Sequence, residues 1–147
     1  MVKFKYKNYI EINKILKKYN FDAFEAVQNY GTFTGDHNLY KLIKINSLID
    51  KVSNINGHII EFGIWNGNTS FLIKKIIDLK KIKKKIFGVD HFKGLDKFSK
   101  KDGVAKKNNK TYVGKYNLIK DIIKFFNFKN FKIINENITT SSFKKLN

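Results

Sequence analysis

The residues best placed to do chemistry lie in one segment, Glu61-Phe62-Gly63-Ile64-Trp65-Asn66-Gly67-Asn68-Thr69-Ser70. Two glycines four positions apart let the backbone bend sharply and approach a ligand with no Cβ in the way. A helix following that bend would present free N–H groups and the positive end of its dipole, which suits a carboxylate or phosphate. The second marked position is Asp90, followed by His91 and Phe92. At the end of a strand its carboxylate can accept both hydroxyls of a ribose lying across the strand ends. Either feature alone is often mere architecture, a tight connection or a helix cap. Their joint spacing points to a nucleoside-containing cofactor. A dinucleotide fold prefers G-x-G-x-x-G, whose second glycine makes room for pyrophosphate, and here position 65 is Trp. Pyrophosphate is therefore disfavoured. Glu61, two residues before the first glycine, suits S-adenosylmethionine, because its carboxylate can shape the pocket and balance the cofactor's positive groups.

These residues need a frame, and the hydrophobic pattern predicts one. Tyr9, Ile12, Leu16 and Tyr19 recur at helical spacing, and a short second helix holds Phe24 and Val27. Tyr30 to Gly35 reads as a loop. Asp36 then caps a longer helix whose stripe is Leu39, Leu42, Ile43, Ile49 and Val52, ending at Asn54 to Gly57. From His58 the character changes. His58 to Phe62 is a short buried-strand run, and the glycine bend leads into a helix carrying Leu72, Ile73, Ile76 and Leu79. Lys85 to Asp90 is the next strand. Leu118, Ile119, Ile122, Ile123 and Phe126 mark another helix, and Phe131 to Asn135 a third strand. Strands alternating with helices imply parallel pairing through right-handed crossovers, an α/β Rossmann-like sheet. The expected organisation is an N-terminal helical segment, residues 1–56, followed by a Rossmann-like cofactor-binding domain, residues 57–147.

Composition bounds the function classes. The 147 residues hold no cysteine, which excludes a disulfide framework, a thiolate metal site and a cysteine hydrolase, and fits a reducing cytoplasm. No stretch approaches the roughly 18–20 apolar residues of a membrane span. The net charge of +18 would ordinarily point to a polyanionic partner. All 30 basic residues are Lys, however, and Arg is the residue that reads guanine edges and grips phosphate bidentately. Abundant Ile, Asn, Phe and Tyr with few Ala is what AT-rich codons produce by drift, so nucleic acid is disfavoured as a partner. The dense run Lys80-Lys81-Ile82-Lys83-Lys84-Lys85 reads as a solvated helix end. His37, His58 and His91 lack metal-ligand spacing, and Ser70, Ser141 and Ser142 lie in no G-x-S-x-G elbow. Asp96 and Asp102 read as solvated loop acids.

Glu61 to Asn68, followed by Gly88-Val89-Asp90-His91-Phe92-Lys93-Gly94-Leu95, resembles the macrocin O-methyltransferase family, with its E-x-G-V-W-x-G and F-D-S-F-x-G-L-P patterns. His91 and Asp96 stand where the family has Ser and Pro. The resemblance continues more weakly through Tyr112 to Gly114 and through Ile134 to Thr139. It implies a class I methyltransferase fold, S-adenosylmethionine as cofactor, and a sugar hydroxyl as acceptor, often on a nucleotide sugar or glycosylated product. Glu61, Gly63 and Gly67 would shape the methionine side of the pocket, Asp90 would hold the ribose, and Trp65 would be a lid or a packing residue. The candidate cofactor-binding set is Glu61, Gly63, Trp65, Gly67, Asn68, Ser70, Asp90, His91 and Phe92. No catalytic residue is assigned.

The family also carries, beyond the third strand, a D-x-D-L-Y segment and further acids that hold magnesium near the acceptor. Those ligands are not in this chain. The expectation is therefore the N-terminal half of a class I methyltransferase fold, inactive alone, with one edge of its first strand uncovered. A small-molecule sugar substrate, no membrane and an open question of homo-oligomerisation complete this reading. Its rivals are a non-catalytic, Lys-rich nucleic-acid-binding module, and a methyltransferase with an RNA acceptor.

Overall fold

A computed structural model describes residues 6–95, 101, 103 and 110–137. Asp96, Asp102, Ser141, Ser142 and the segment from Ile138 to Asn147 lie outside the described residues. The chain divides into two compact units, residues 1–50 and 51–147.

The first unit is helical. α1 (Tyr6–Lys18) ends where Asn20 turns left-handed, with the Asn20 N–H donating to Lys17 O and the Phe21 N–H to Leu16 O. Asn tolerates that conformation better than most residues and satisfies the last carbonyls. α2 (Ala23–Gln28) opens with a reciprocal cap, the Asp22 carboxylate accepting from Glu25 N and the Glu25 carboxylate from Asp22 N. Phe24 and Val27 ride on it but remain exposed. The expected loop at Tyr30 to Gly35 contains a single helical turn, α3 (Tyr30–Phe33). Asn29 both closes α2 and opens α3. One turn has too few residues to show a period. α4 (Asp36–Val52) receives its first hydrogen bonds on the carbonyl of Gly35, so Asp36 sits inside the first turn and not at the cap. Its charge still faces the positive helix end. Of the stripe expected on α4, Ile49 is buried, while Leu39, Ile43 and Val52 are exposed.

The second unit is a three-stranded parallel sheet in the order β1 (Ile59–Phe62), β2 (Ile86–Asp90), β3 (Phe131–Asn135). α5 (Asn68–Leu79) connects the first pair and α6 (Tyr116–Phe125) the second. β2 is central and buried from Ile86 to Val89, which is why it reads as a continuous apolar run. Register places Phe62 beside Val89 and Asp90 beside Asn135, so the carboxyl ends of all three strands finish together. Among the described residues β1 pairs with β2 alone, and its Ile60 and Phe62 are exposed.

Two packed clusters hold the strand ends. Ile64, Phe92 and Ile119 are buried with Phe71, Tyr116, Ile123 and Ile133 around them, and Phe87, Val89 and Ile134 form the other cluster. Ile119, from the middle of α6, is fully buried and anchors that helix beneath the loops after β1 and β2. Phe71 of α5 stacks on Phe131 of β3 at 5.5 Å between ring centres. Lys74 is buried as well, its ammonium paired with Asp78 and lying over the Phe128 ring at 5.2 Å.

The lysine run closes α5. Lys81 turns left-handed, and the Lys81 and Ile82 N–H groups donate to Asp78 O and Ile77 O. Most of the run is exposed, but Lys84 is buried, its Nζ donating to the carbonyls of Ile55 and Gly57. His58 accepts from Lys85 N at 3.4 Å and packs against Phe87. Among the described residues, no helix is long and apolar enough to cross a membrane.

Candidate functional site

The site is built from the loops that leave the carboxyl ends of β1 and β2. At Gly63 the chain takes φ +74° while its N–H still donates to Val89 O at 2.8 Å, so the turn begins on the sheet itself. A Cβ at Gly63 would meet nothing within 4 Å. Backbone conformation therefore requires the glycine, and open space lies above it. Gly67 differs. It also is left-handed, at φ +79°, but it is buried, caps α5 through its backbone, and would drive a Cβ to 2.9 Å from the Phe71 ring.

Between the glycines, Trp65 is held at φ +50°, and its N–H donates to Asp90 Oδ2 at 2.8 Å. The other oxygen, Asp90 Oδ1, accepts from Phe92 N at 2.7 Å, and Phe92 too is left-handed at φ +59°. The indole Nε1–H donates to Val113 O at 3.2 Å, and Tyr112 meets the indole edge-on at 5.8 Å. Asn66 Oδ1 accepts from Lys115 N at 3.0 Å. Residues 111–115 are thus strapped across the glycine bend. Gly114 makes that approach possible, since a Cβ there would lie 2.7 Å from Trp65 O. Gly94, at φ +79°, lies against the same strap at Thr111 and Val113.

The result is a cleft of about 410 Å³ lined by Gly63, Trp65, Asp90, His91, Gly94, Leu95 and Tyr112. That volume is within the range of small-molecule sites, about 300–1,000 Å³. A smaller hollow of about 220 Å³ among Lys85, Lys129 and Lys132 lies at the opposite end of the strands and holds none of the expected residues. Left-handed non-glycine residues gather around the cleft, at Trp65, Phe92, Lys110 and Tyr112. Such conformations persist where the surroundings over-determine them, and binding sites are where they collect. The carboxylate of Asp90 offers about four lone-pair positions, of which the two amides use two, leaving acceptor capacity on each oxygen. His91 Nδ1 accepts from Lys93 N at 3.1 Å, which leaves Nε2 to carry the proton of the neutral ring.

Of the expected set, Gly63, Trp65, Asp90 and His91 line the cleft together. Glu61, on β1, accepts a hydrogen bond from Ser70 Oγ beneath the bend, and Ser70 is fully buried. Asn68 is exposed at the start of α5. The Phe92 ring is buried in the core and reaches the site through its amide alone. Leu95 and Tyr112 line the cleft without a role foreseen for them. Gly94-Leu95 and Tyr112 to Gly114 lay inside recognised patterns, but hydrophobic periodicity is silent on loop residues. Among the described residues, no three His, Cys, Asp or Glu side chains gather to hold a metal.

Comparison with known proteins places this geometry. The macrocin-O-methyltransferase (TylF) family model matches residues 9–142. The calicheamicin methyltransferase CalS11 superposes with a TM-score of 0.76 at 16% identity, over 99% of this chain and 63% of its own. An apo structure of CalS11, a TDP-rhamnose 3'-O-methyltransferase, gives 0.64 at 16% identity, over 99% of this chain and 62% of that one. The O-methyltransferase NovP gives 0.52 at 16% identity, over 63% of this chain and 43% of its own. The chain thus spans less than two thirds of the length of these structures. No curated protein matches it. With the three-stranded parallel sheet and its strapped glycine bend, the match over residues 9–142 shows that the chain belongs to the macrocin O-methyltransferase family.

Proposed function

We propose that the cleft binds S-adenosylmethionine and that the protein takes part in methyl transfer to a hydroxyl of a small-molecule sugar, free, nucleotide-linked or on a glycosylated product. One observation carries the reading. The Asp90 carboxylate faces the glycine bend across adjacent parallel strands, with open volume above both. That is the crevice beyond the carboxyl strand ends where open α/β sheets take ligands. The fit of the cofactor rests on the same residues. Asp90 retains lone pairs for two ribose hydroxyls, Gly63 leaves room for a close approach, and Trp65, Leu95 and Tyr112 offer apolar walls. Glu61 and Ser70 brace the bend from below.

The cofactor supplies the electrophilic methyl group. This chain's residues bind and orient it, and its acceptor is fixed so that the two reacting atoms meet in line. The sugar acceptor is supported by the family and by the superposing TDP-rhamnose 3'-O-methyltransferase. No base or magnesium ligand is assigned within the described residues. The test uses the single tryptophan, Trp65, which lies half-exposed in the cleft. Titrating S-adenosylhomocysteine into the full chain should change its emission and give saturable calorimetric heat. Silence in both measurements would reject cofactor binding.

A further inference from the structure

We propose that Asp90 is a positioning residue, whose single carboxylate sets the walls of the cleft before a ligand arrives. Its functional consequence rests on the cofactor reading above, while its structural content stands apart from it. The two oxygens are divided between two loops: Oδ2 takes the Trp65 amide from the loop after β1 at 2.8 Å, and Oδ1 takes the Phe92 amide from the loop after β2 at 2.7 Å. Both residues are left-handed and carry side chains, at φ +50° and +59°. Neither conformation is favoured locally. A charged acceptor shared by both amides is the kind of strong hydrogen bond that can hold them there.

The consequence spreads beyond the two turns. Trp65, once held, donates its indole N–H to Val113 and meets Tyr112 edge-on, while its carbonyl seats Gly114. Tyr112 and Trp65 are both cleft walls. His91, the residue between Asp90 and Phe92, is a third, and its Nδ1 is fixed by the Lys93 amide. One carboxylate therefore holds the Trp65 wall directly, reaches Tyr112 through it, and fixes the turn that follows His91. This role differs from hydroxyl binding in what it demands of the side chain. A ribose hydroxyl can still donate to the one carbonyl oxygen of an amide, although that bond lacks the carboxylate's charge. Two backbone N–H groups need two acceptor oxygens, and Asn has one.

The test compares Asp90→Asn, Asp90→Glu and Asp90→Ala in the full chain. In the absence of ligand, Asp90→Asn should lose amide-exchange protection at Trp65 or Phe92 by at least about tenfold and shift the Trp65 emission, because the carboxamide sets N–H against N–H. Its affinity for S-adenosylhomocysteine should fall as far as that of Asp90→Ala, and Asp90→Glu should not rescue it, because the longer stem displaces both oxygens. In the unsubstituted chain, scalar coupling across the hydrogen bond from the Trp65 and Phe92 amide nitrogens to the Asp90 carboxyl carbon should be measurable, whether or not any variant folds. Unchanged exchange and emission in Asp90→Asn, or absence of that coupling, would overturn the proposal. If wild-type protein binds no S-adenosylhomocysteine, the cofactor reading fails, and the exchange and coupling data still decide the clamp.

Discussion

At the carboxyl end of the sheet, the Glu61 to Ser70 segment holds two left-handed glycines and a left-handed tryptophan, and it meets the Asp90 carboxylate of β2 around a cleft. At the amino end, the Lys80 to Lys85 run carries far more formal charge and converges on nothing comparable. Lys81 closes α5, and Lys84 turns inward to two carbonyls, so part of the run's charge serves local structure. Charge density marks a segment, but convergence of differently placed groups on one volume makes a site. The two ends therefore should respond differently to substitution: the carboxyl end through ligand affinity and backbone strain, the amino end through stability alone.

The strongest way to break this contrast is Gly94→Ala. A side chain at φ +79° is strained by about 1–2 kcal/mol. Its Cβ also runs into Thr111 and Val113, adding overpacking of about 1–3 kcal/mol. Urea unfolding should show a loss of about 2–5 kcal/mol, and a loss below about 1 kcal/mol would mean the strap is loosely held. Next is Asp90→Ala, which removes charge-assisted hydrogen bonds and should weaken S-adenosylhomocysteine binding by roughly tenfold to a hundredfold, about 1.5–3 kcal/mol. An unchanged dissociation constant by calorimetry would remove Asp90 from the site.

The amino end sharpens the comparison from the other side. Lys84→Met keeps the apolar stem but strands the carbonyls of Ile55 and Gly57, so it should cost about 1–3 kcal/mol of stability and leave cofactor affinity untouched. A fall in affinity of tenfold there would dissolve the distinction between the two ends. The smallest effect is expected at Leu79→Ala. Leu79 is 83% exposed, and thermal melting should register less than about 0.5 kcal/mol.

Much of the second unit was legible in the chain. β3 falls on Phe131–Asn135 as its apolar run indicates, and β2 begins at Ile86, one residue inside the expected Lys85. α5 and α6 appear where the 3.6-residue period places them, because Ile76, Ile77 and Ile119 have a core to enter. The first unit was less legible. α3 is a single turn without a measurable period, and Phe24, Val27, Leu39 and Ile43 kept helical spacing yet stayed exposed. Spacing reports a helical face; what covers that face is a separate matter. The same limit applied to the cleft. Gly63 and Asp90 could be read from their places at strand ends, whereas Leu95 and Tyr112 line the cleft through loop closure, which leaves no periodic trace.

What the amino-acid sequence determined alone is local: alternating strands and helices, glycines at positions 63 and 67 where the backbone turns left-handed, and an acid at the tip of β2. These follow from side-chain sterics and hydrophobic period, which act over a few residues. Only the tertiary structure decided that both Asp90 oxygens engage backbone amides, that Trp65 is strapped by residues 111–115, and that Lys84 is buried. Apart from the local Asp90–Phe92 bond, these contacts join groups far apart in the chain, and around the cleft their meeting depends on strand register and on how Ile64, Phe92 and Ile119 pack beneath it.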